Sequence, residues 1–170
     1  MSTTYVLSFS AQDKPGLVEL LSNTIDQHGG NWLESAMSHL AERFVGIIVV
    51  DVAGDSVDAL RQGLTALSSE GLEVTFTKRE STDDAEYQTM DIELVGHDRP
   101  GIIRDISKVL ANFKVNVEDM TTELMSGSMS AEPMFKADLH LHVKASTDVD
   151  ELQDAIEQIS GNLMVDIHVD

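Results

Sequence analysis

Ala11-Gln12-Asp13-Lys14-Pro15-Gly16 returns 85 positions later as Gly96-His97-Asp98-Arg99-Pro100-Gly101, with Asp, Pro and Gly in the same places. Each copy follows an alternating apolar run and precedes a stretch of helical periodicity. Tyr5, Leu7 and Phe9 alternate before the first copy; Met90, Ile92 and Leu94 do so before the second at the same offset. The chain is therefore read as two copies of one unit, and a repeat is weighed before any other pattern.

The offset of 85 continues through Asn31 and Asn116 and then slips. Phe44 corresponds to Phe135, and the series Val57, Leu60, Leu64, Leu67 corresponds to Val149, Leu152, Ile156, Ile159. An insertion at Met125 to Pro133 of the second copy accounts for the slip. Its two methionines and small residues read as a hairpin loop, with a lid or partner contact as the alternative.

Within each copy the element order is the same. A half-buried strand at residues 5–9 alternates apolar and polar positions. Pro15 presets the backbone for a first helical turn, and Gly16 permits close approach. Leu17, Leu20, Leu21, Thr24 and Ile25 then mark one helix face, ended by His28-Gly29-Gly30. Strands follow at 31–40 and 44–52, a helix at 57–69 and a strand at 72–77. In copy two the strands fall at 89–95, 115–124, 135–143 and 163–169, and the helices at 101–112 and 149–160. The fold class is α+β: two ferredoxin-like βαββαβ units, antiparallel sheets with helices on one face. The domains are residues 1–79 and 88–170, joined by a polar linker at 80–87 containing Ser81-Thr82-Asp83-Asp84.

The third strand of copy one, Phe44 to Val52, is apolar at nearly every position and is expected to be central and covered on both faces. Its counterpart alternates Phe135, Ala137, Leu139, Leu141 and Val143 with Lys136, Asp138, His140, His142 and Lys144, as a strand covered on one face does. The other repeat or a second chain would cover the extra face, so a compact tandem or a homodimer is expected. Trp32 is placed in a core or interface, where its N–H needs a partner if buried.

Composition narrows the function classes. Eleven basic and thirty acidic residues give a net charge of −19. No basic stripe offsets it, so direct nucleic-acid binding is not expected. The absence of cysteine removes disulfides, thiolate metal sites and cysteine nucleophiles. No apolar run reaches the roughly 20 residues of a membrane span, and Met1-Ser2-Thr3-Thr4 starts no secretory signal. A cytoplasmic protein without membrane contact is expected.

Catalytic patterns are equally sparse. There is no Gly-x-Ser-x-Gly elbow, P-loop or dinucleotide fingerprint. His97 beside Asp98 makes no dyad, because consecutive side chains diverge. Asp138, His140 and His142 could surround a metal, but they lack a visible fourth ligand and read as an exposed polar strand face. No catalytic residue, metal or cofactor is assigned.

A βαββαβ unit with Asp-Lys-Pro-Gly or Asp-Arg-Pro-Gly before its first helix, and Asn opening its second strand, resembles an ACT domain. The bare tandem, with His97-Asp98-Arg99-Pro100-Gly101-Ile102-Ile103, resembles the glycine cleavage system transcriptional repressor family. That resemblance implies a non-enzymatic regulator that senses a small amino acid, glycine foremost. It would act on transcription through a protein partner, a DNA-binding activator, and not by touching DNA. It also implies ligand binding where the first loop and helix of one domain meet the second strand of a neighbour. The positions carried over are Asp13, Pro15, Gly16 and Asn31 in copy one, with Asp98, Arg99, Pro100, Gly101 and Asn116 in copy two. Helix-start N–H groups suit a carboxylate and an Asn amide both donates and accepts, although a Pro-Gly turn and a post-helix Asn also serve structure alone. Copy two is favoured because Arg99 and Arg104 could attract an anion; Lys14 offers copy one the same. Alternatives are a regulatory subunit of a metabolic enzyme and an assembly module without ligand.

Overall fold

The computed structural model describes residues 2–80, 87–126, 132–159 and 163–169. The chain forms two units, Met1–Thr82 and Asp83–Asp170. Unit 1 contains β1 (Ser2–Gln12), α1 (Leu17–Gln27), β2 (Gly30–Leu40), β3 (Arg43–Ala53), α2 (Val57–Ala66), a 3-10 turn (Leu67–Glu70) and β4 (Leu72–Lys78). Unit 2 contains β5 (Tyr87–His97), α3 (Ile102–Asn112), β6 (Asn116–Ser126), β7 (Pro133–Lys144), α4 (Val149–Glu157) and β8 (Met164–Val169). The sheets run β2-β3-β1-β4 and β6-β7-β5-β8, and every pairing is antiparallel. Each is the expected βαββαβ arrangement.

One face of each sheet is apolar because the pleat sends alternate side chains to it. Leu7, Phe9 and Ala11 of β1 join Ile48, Val50 and Val52 of β3, and α1 and α2 close over them with Leu17, Leu21, Ile25, Leu60 and Leu64. Unit 2 repeats the plan: Met90, Ile92 and Leu94 lie beside Leu139 and Leu141, under Ile106, Leu110, Leu152 and Ile156. Each fully buried Leu or Ile contributes on the order of 2 kcal/mol.

Backbone conformation repeats as well. Gly16 and Gly101 start α1 and α3 at φ 91° and 85°. The helix exits use positive φ too, at Gly29 (74°) and at its counterpart Lys114 (57°). The β2–β3 connection is two residues, Ala41 and Glu42, at φ 49° and 62°, the signs that a tight type I′ hairpin needs. Both edge strands carry an irregularity in the same place, between Trp32 and Glu34 in β2 and between Val117 and Asp119 in β6.

Two expectations need correction. β3 is an inner strand, but only one of its faces is buried: Val45 is 40% and Ile47 50% exposed. Within unit 1 its apolar outward residues have no cover. The second helix ends at Ala66 and tightens into a 3-10 turn capped by Gly71 at φ 80°, where a helix through Ser69 was expected. The strands outrun their apolar cores because the ladders continue through polar ends; β1 pairs with β3 from Ser2 to Gln12. Trp32 is half-buried, packed on the unit 1 core. Of the insertion, residues 127–131 lie outside the described residues; Ser126 and Pro133 pair across its base.

Candidate functional site at the two helix starts

The Asp-x-Pro-Gly loops become two matching helix N-termini. Leu20 N–H donates to Gly16 O at 2.9 Å, and Asp105 N–H donates to Gly101 O at 3.0 Å. The first helical N–H groups, on Leu17 to Glu19 and on Ile102 to Arg104, precede those bonds. A glycine cannot cap them with a side chain, and neither helix has a side-chain cap. Such N–H groups, at the positive end of the helix dipole, suit a carboxylate. A methyl on Gly16 would meet nothing within 4 Å, so the approach to α1 is open.

The loops are held from both sides. Asp13 N–H donates to Glu42 O at 2.9 Å, and the Asp13 carboxylate lies 3.5 Å from His39 Nε2. Asp98 N–H donates to Pro133 O at 3.1 Å. Pro15 and Pro100 are exposed beside them. Each loop is thus pinned to the hairpin that joins the second and third strands of its unit.

At copy two both arginines expected to attract an anion share one carboxylate within the loop, which leaves the group with a net positive charge. Arg99 Nη1 donates to Asp105 Oδ2 at 3.0 Å and Arg104 Nη2 lies 2.9 Å from Asp105 Oδ1. Arg99 also donates to the Ile159 carbonyl at 3.4 Å. Hydrogen bonds from Arg99, then Arg104, hold the Asp105 carboxyl below the usual carboxylate range. In copy one Lys14 Nζ donates to the Glu70 carbonyl at 2.9 Å. Arg104 also overlies the helix start, since a methyl on Gly101 would stand 2.9 Å from its Nη2.

Asn31 and Asn116 sit elsewhere. In the ladder Asn31 opposes Asp51, whereas the loop end of the sheet is marked by Leu40 opposite Arg43. Those positions lie at opposite ends of β2, about 30 Å apart at the rise of a strand. Unit 2 has the same separation: Asn116 opposes His142, and the loop joins Pro133 at the far end. Asn116 donates its amide to Glu118 Oε1. No single unit unites its loop with its Asn.

Sequence reasoning found the β7 part of the helix-free face of the second sheet, Asp138 and His140, but missed the residues that β5, β6 and β8 bring to it. There Asp119, His140, Asp91 and His168 form one cross-strand row, and Thr121, Asp138, Glu93 and Asp166 form the next. Together they line an open concavity of about 360 Å³. Asp91 accepts from His140 Nδ1 at 2.5 Å and thereby raises the His140 pKa above 6.5. The alternation of Asp91 with Glu93 and of Asp166 with His168 was visible; that these residues share a face follows only from the strand order. His142 turns to Glu118 at 3.3 Å and Asp138 to Lys136 at 3.2 Å. Among the described residues no three His, Asp or Glu side chains converge to hold a metal, and no helix is long and apolar enough to cross a membrane.

Two βαββαβ modules, each opening its first helix on a glycine without a side-chain cap, define a tandem of ferredoxin-like domains. Two ACT domain models match the chain, one over residues 3–77 and the other over residues 84–166. A UPF0237 protein of Methanococcus maripaludis is 33% identical over 79 residues, which are 46% of this chain and 81% of that protein. The chain belongs to the ACT domain family and is a tandem ACT-domain protein. Its fold is shared by an unknown protein from Galdieria sulphuraria, with TM-score 0.83, 19% identity and coverage of 100% and 99% of the two chains. It is also shared by a protein provisionally assigned as a glycine cleavage system transcriptional repressor, with TM-score 0.74, 14% identity and coverage of 100% and 98%.

Proposed function

We propose that the protein is a non-enzymatic regulator that senses a small amino acid, glycine first, and controls transcription of glycine cleavage genes through a protein partner. The observation that carries the sensor is the duplicated helix start: two glycine-initiated helices present uncapped N–H groups to a carboxylate. Asp13 or Asp98 and the loop backbone would hold one end of the ligand. An Asn from another ACT unit would hold the rest, because Asn31 and Asn116 lie at the far ends of their own sheets. A site completed by a neighbouring unit couples binding to assembly, which is the differential affinity a switch requires. The net charge of −19 favours a protein partner over DNA.

The test is titration calorimetry of the full chain against glycine and a panel of amino acids. Saturable binding that Asn31→Ala or Asn116→Ala weakens is the expected result. No heat and no thermal stabilisation from any amino acid would overturn the sensor in favour of an assembly module.

A further inference from the structure

The two sheets share a plan and differ on the face their helices leave open. In unit 2 that face carries Asp91, Glu93, Asp119, Asp138 and Asp166. In unit 1 the outward residues of β1 and of the middle of β3 are uncharged, while Glu34 of β2 and Glu73 of β4 stand on the same face beside Val49 and Ser10. The outward positions of β1 are Val6, Ser8 and Ser10, and Ala36 of β2 and Thr75 of β4 flank them and their β3 neighbours. Along β3 the outward residues read Arg43, Val45, Ile47, Val49, Asp51.

That series is symmetric about Ile47. Apolar β-branched residues hold the middle, a cation one end and an anion the other. We propose that this face is an isologous interface with a second copy of the chain, sheet against sheet about a twofold axis through Ile47. The axis lies between the sheets, perpendicular to β3. It places Ile47 against the partner's Ile47, Val45 against the partner's Val49 and Arg43 against the partner's Asp51. A twofold interface demands such self-complementarity. Arg43 and Asp51 each lie about 13 Å from the axis at the strand rise. Aligned sheets cross at about 30°, which offsets the two charges sideways by about 7 Å. An extended Arg and a short Asp side chain together close that gap.

Charge selects the occupant. Two chains of net charge −19 repel unless they meet where charge is sparse or paired; the open face of unit 1 is uncharged along β1 and the middle of β3, pairs Arg43 with Asp51, and keeps Glu34 and Glu73 to its edge strands. Size agrees: four strands about 4.8 Å apart and about 30 Å long give each copy a face of roughly 550 Å². The pair then buries about 1,100 Å², above the roughly 1,000 Å² that a specific interface requires. An apolar centre with a polar rim is the usual anatomy of such a contact. The inference is independent of amino-acid binding.

Sedimentation velocity of the full chain from about 1 to 100 µM tests it, a range that resolves micromolar association. The wild type should dimerise. Ile47→Glu places two carboxylates on the axis and should weaken dimerisation at least hundredfold, with circular dichroism unchanged because the side chain is half exposed. Asp51→Arg should weaken it about tenfold, and Arg43→Asp with Asp51→Arg in one chain should regain most of that loss. A wild-type monomer throughout, an Ile47→Glu dimer as tight as wild type, or a double exchange no better than Asp51→Arg would each overturn the interface.

Discussion

Gly46→Ala should destabilise unit 1 even though alanine is ordinarily the better strand residue. Gly46 stands opposite Phe9 on the buried face of the first sheet. A methyl there would lie 2.7 Å from Cε1 and Cζ of the Phe9 ring and 2.8 Å from the Ala36 carbonyl oxygen. Carbon atoms pack at about 3.5–4.0 Å, so the overlap with the ring is close to ~1 Å. Neither neighbour yields cheaply: Phe9 is 4% exposed with its ring 5.4 Å from that of Phe44, and the Ala36 oxygen is strand backbone. Overpacking of this kind costs about 1–3 kcal/mol. Removing a strand glycine returns about 0.5–1 kcal/mol. The midpoints of the two ranges leave a net loss of about 1 kcal/mol, which lowers the midpoint of an 80-residue unit by roughly 4–8 °C.

Trp32 is the sole tryptophan and packs on the unit 1 core, so its fluorescence during thermal or urea unfolding reports this unit alone. Phe9→Leu removes the ring that the methyl strikes. In that background Gly46→Ala should be neutral or stabilising, a coupling of about 1 kcal/mol or more in a double-mutant cycle. A neutral Gly46→Ala in the wild-type background, or strictly additive effects of the two substitutions, would refute the reasoning.

Three further outcomes are expected. Replacing Ala41 and Glu42 by Asn-Gly supplies the residues that a positive-φ hairpin favours and should raise unit 1 stability by about 1 kcal/mol, measured by urea denaturation. Lys114→Gly gives unit 2 the helix exit that unit 1 already has at Gly29 and should stabilise it by about 0.5–1 kcal/mol, seen as a later calorimetric transition. His140 should titrate above 6.5 by NMR and move down in Asp91→Asn, because the Asp91 carboxylate favours the imidazolium. With the folded pKa raised, the stability this pair contributes is complete below the unfolded value and is lost as pH rises through the folded one; an unshifted His140 would contradict the contact.

Much of the architecture was legible because it was written twice. The 85-residue offset tied Asp13, Gly16 and Asn31 to Asp98, Gly101 and Asn116, and each pair occupies equivalent places in the two units. Alternation located the strands but not their ends, since Ser2 and Gln12 are held by ladder hydrogen bonds that hydropathy does not record. Apolar character at β3 marked an inner strand but not which residues its own unit buries: Val45 and Ile47 face outward in the chain. The pairing of Arg99 and Arg104 with Asp105, one turn into α3, was not legible: one carboxylate lies within reach of both guanidinium groups. Nothing in the linear order announces that competition. The distance between each loop and its Asn was likewise hidden, being set by how far α1 and α3 carry the chain back along the sheet.

The paired irregularities in β2 and β6 bear on a hazard both units face. Each of these strands is an 11-residue sheet edge with one row of backbone groups unpaired within its sheet, and long flat edges recruit strands from other molecules into aggregates. The extra residue near the start of each breaks the ladder and increases the local twist. An incoming strand then meets two short segments instead of one straight template. Glu34 and Asp119, immediately past the breaks, put a carboxylate where the longer segment begins. Straightening either edge by deleting Leu33 or Glu118 should therefore cost the protein its resistance to fibrillar association before it costs the fold.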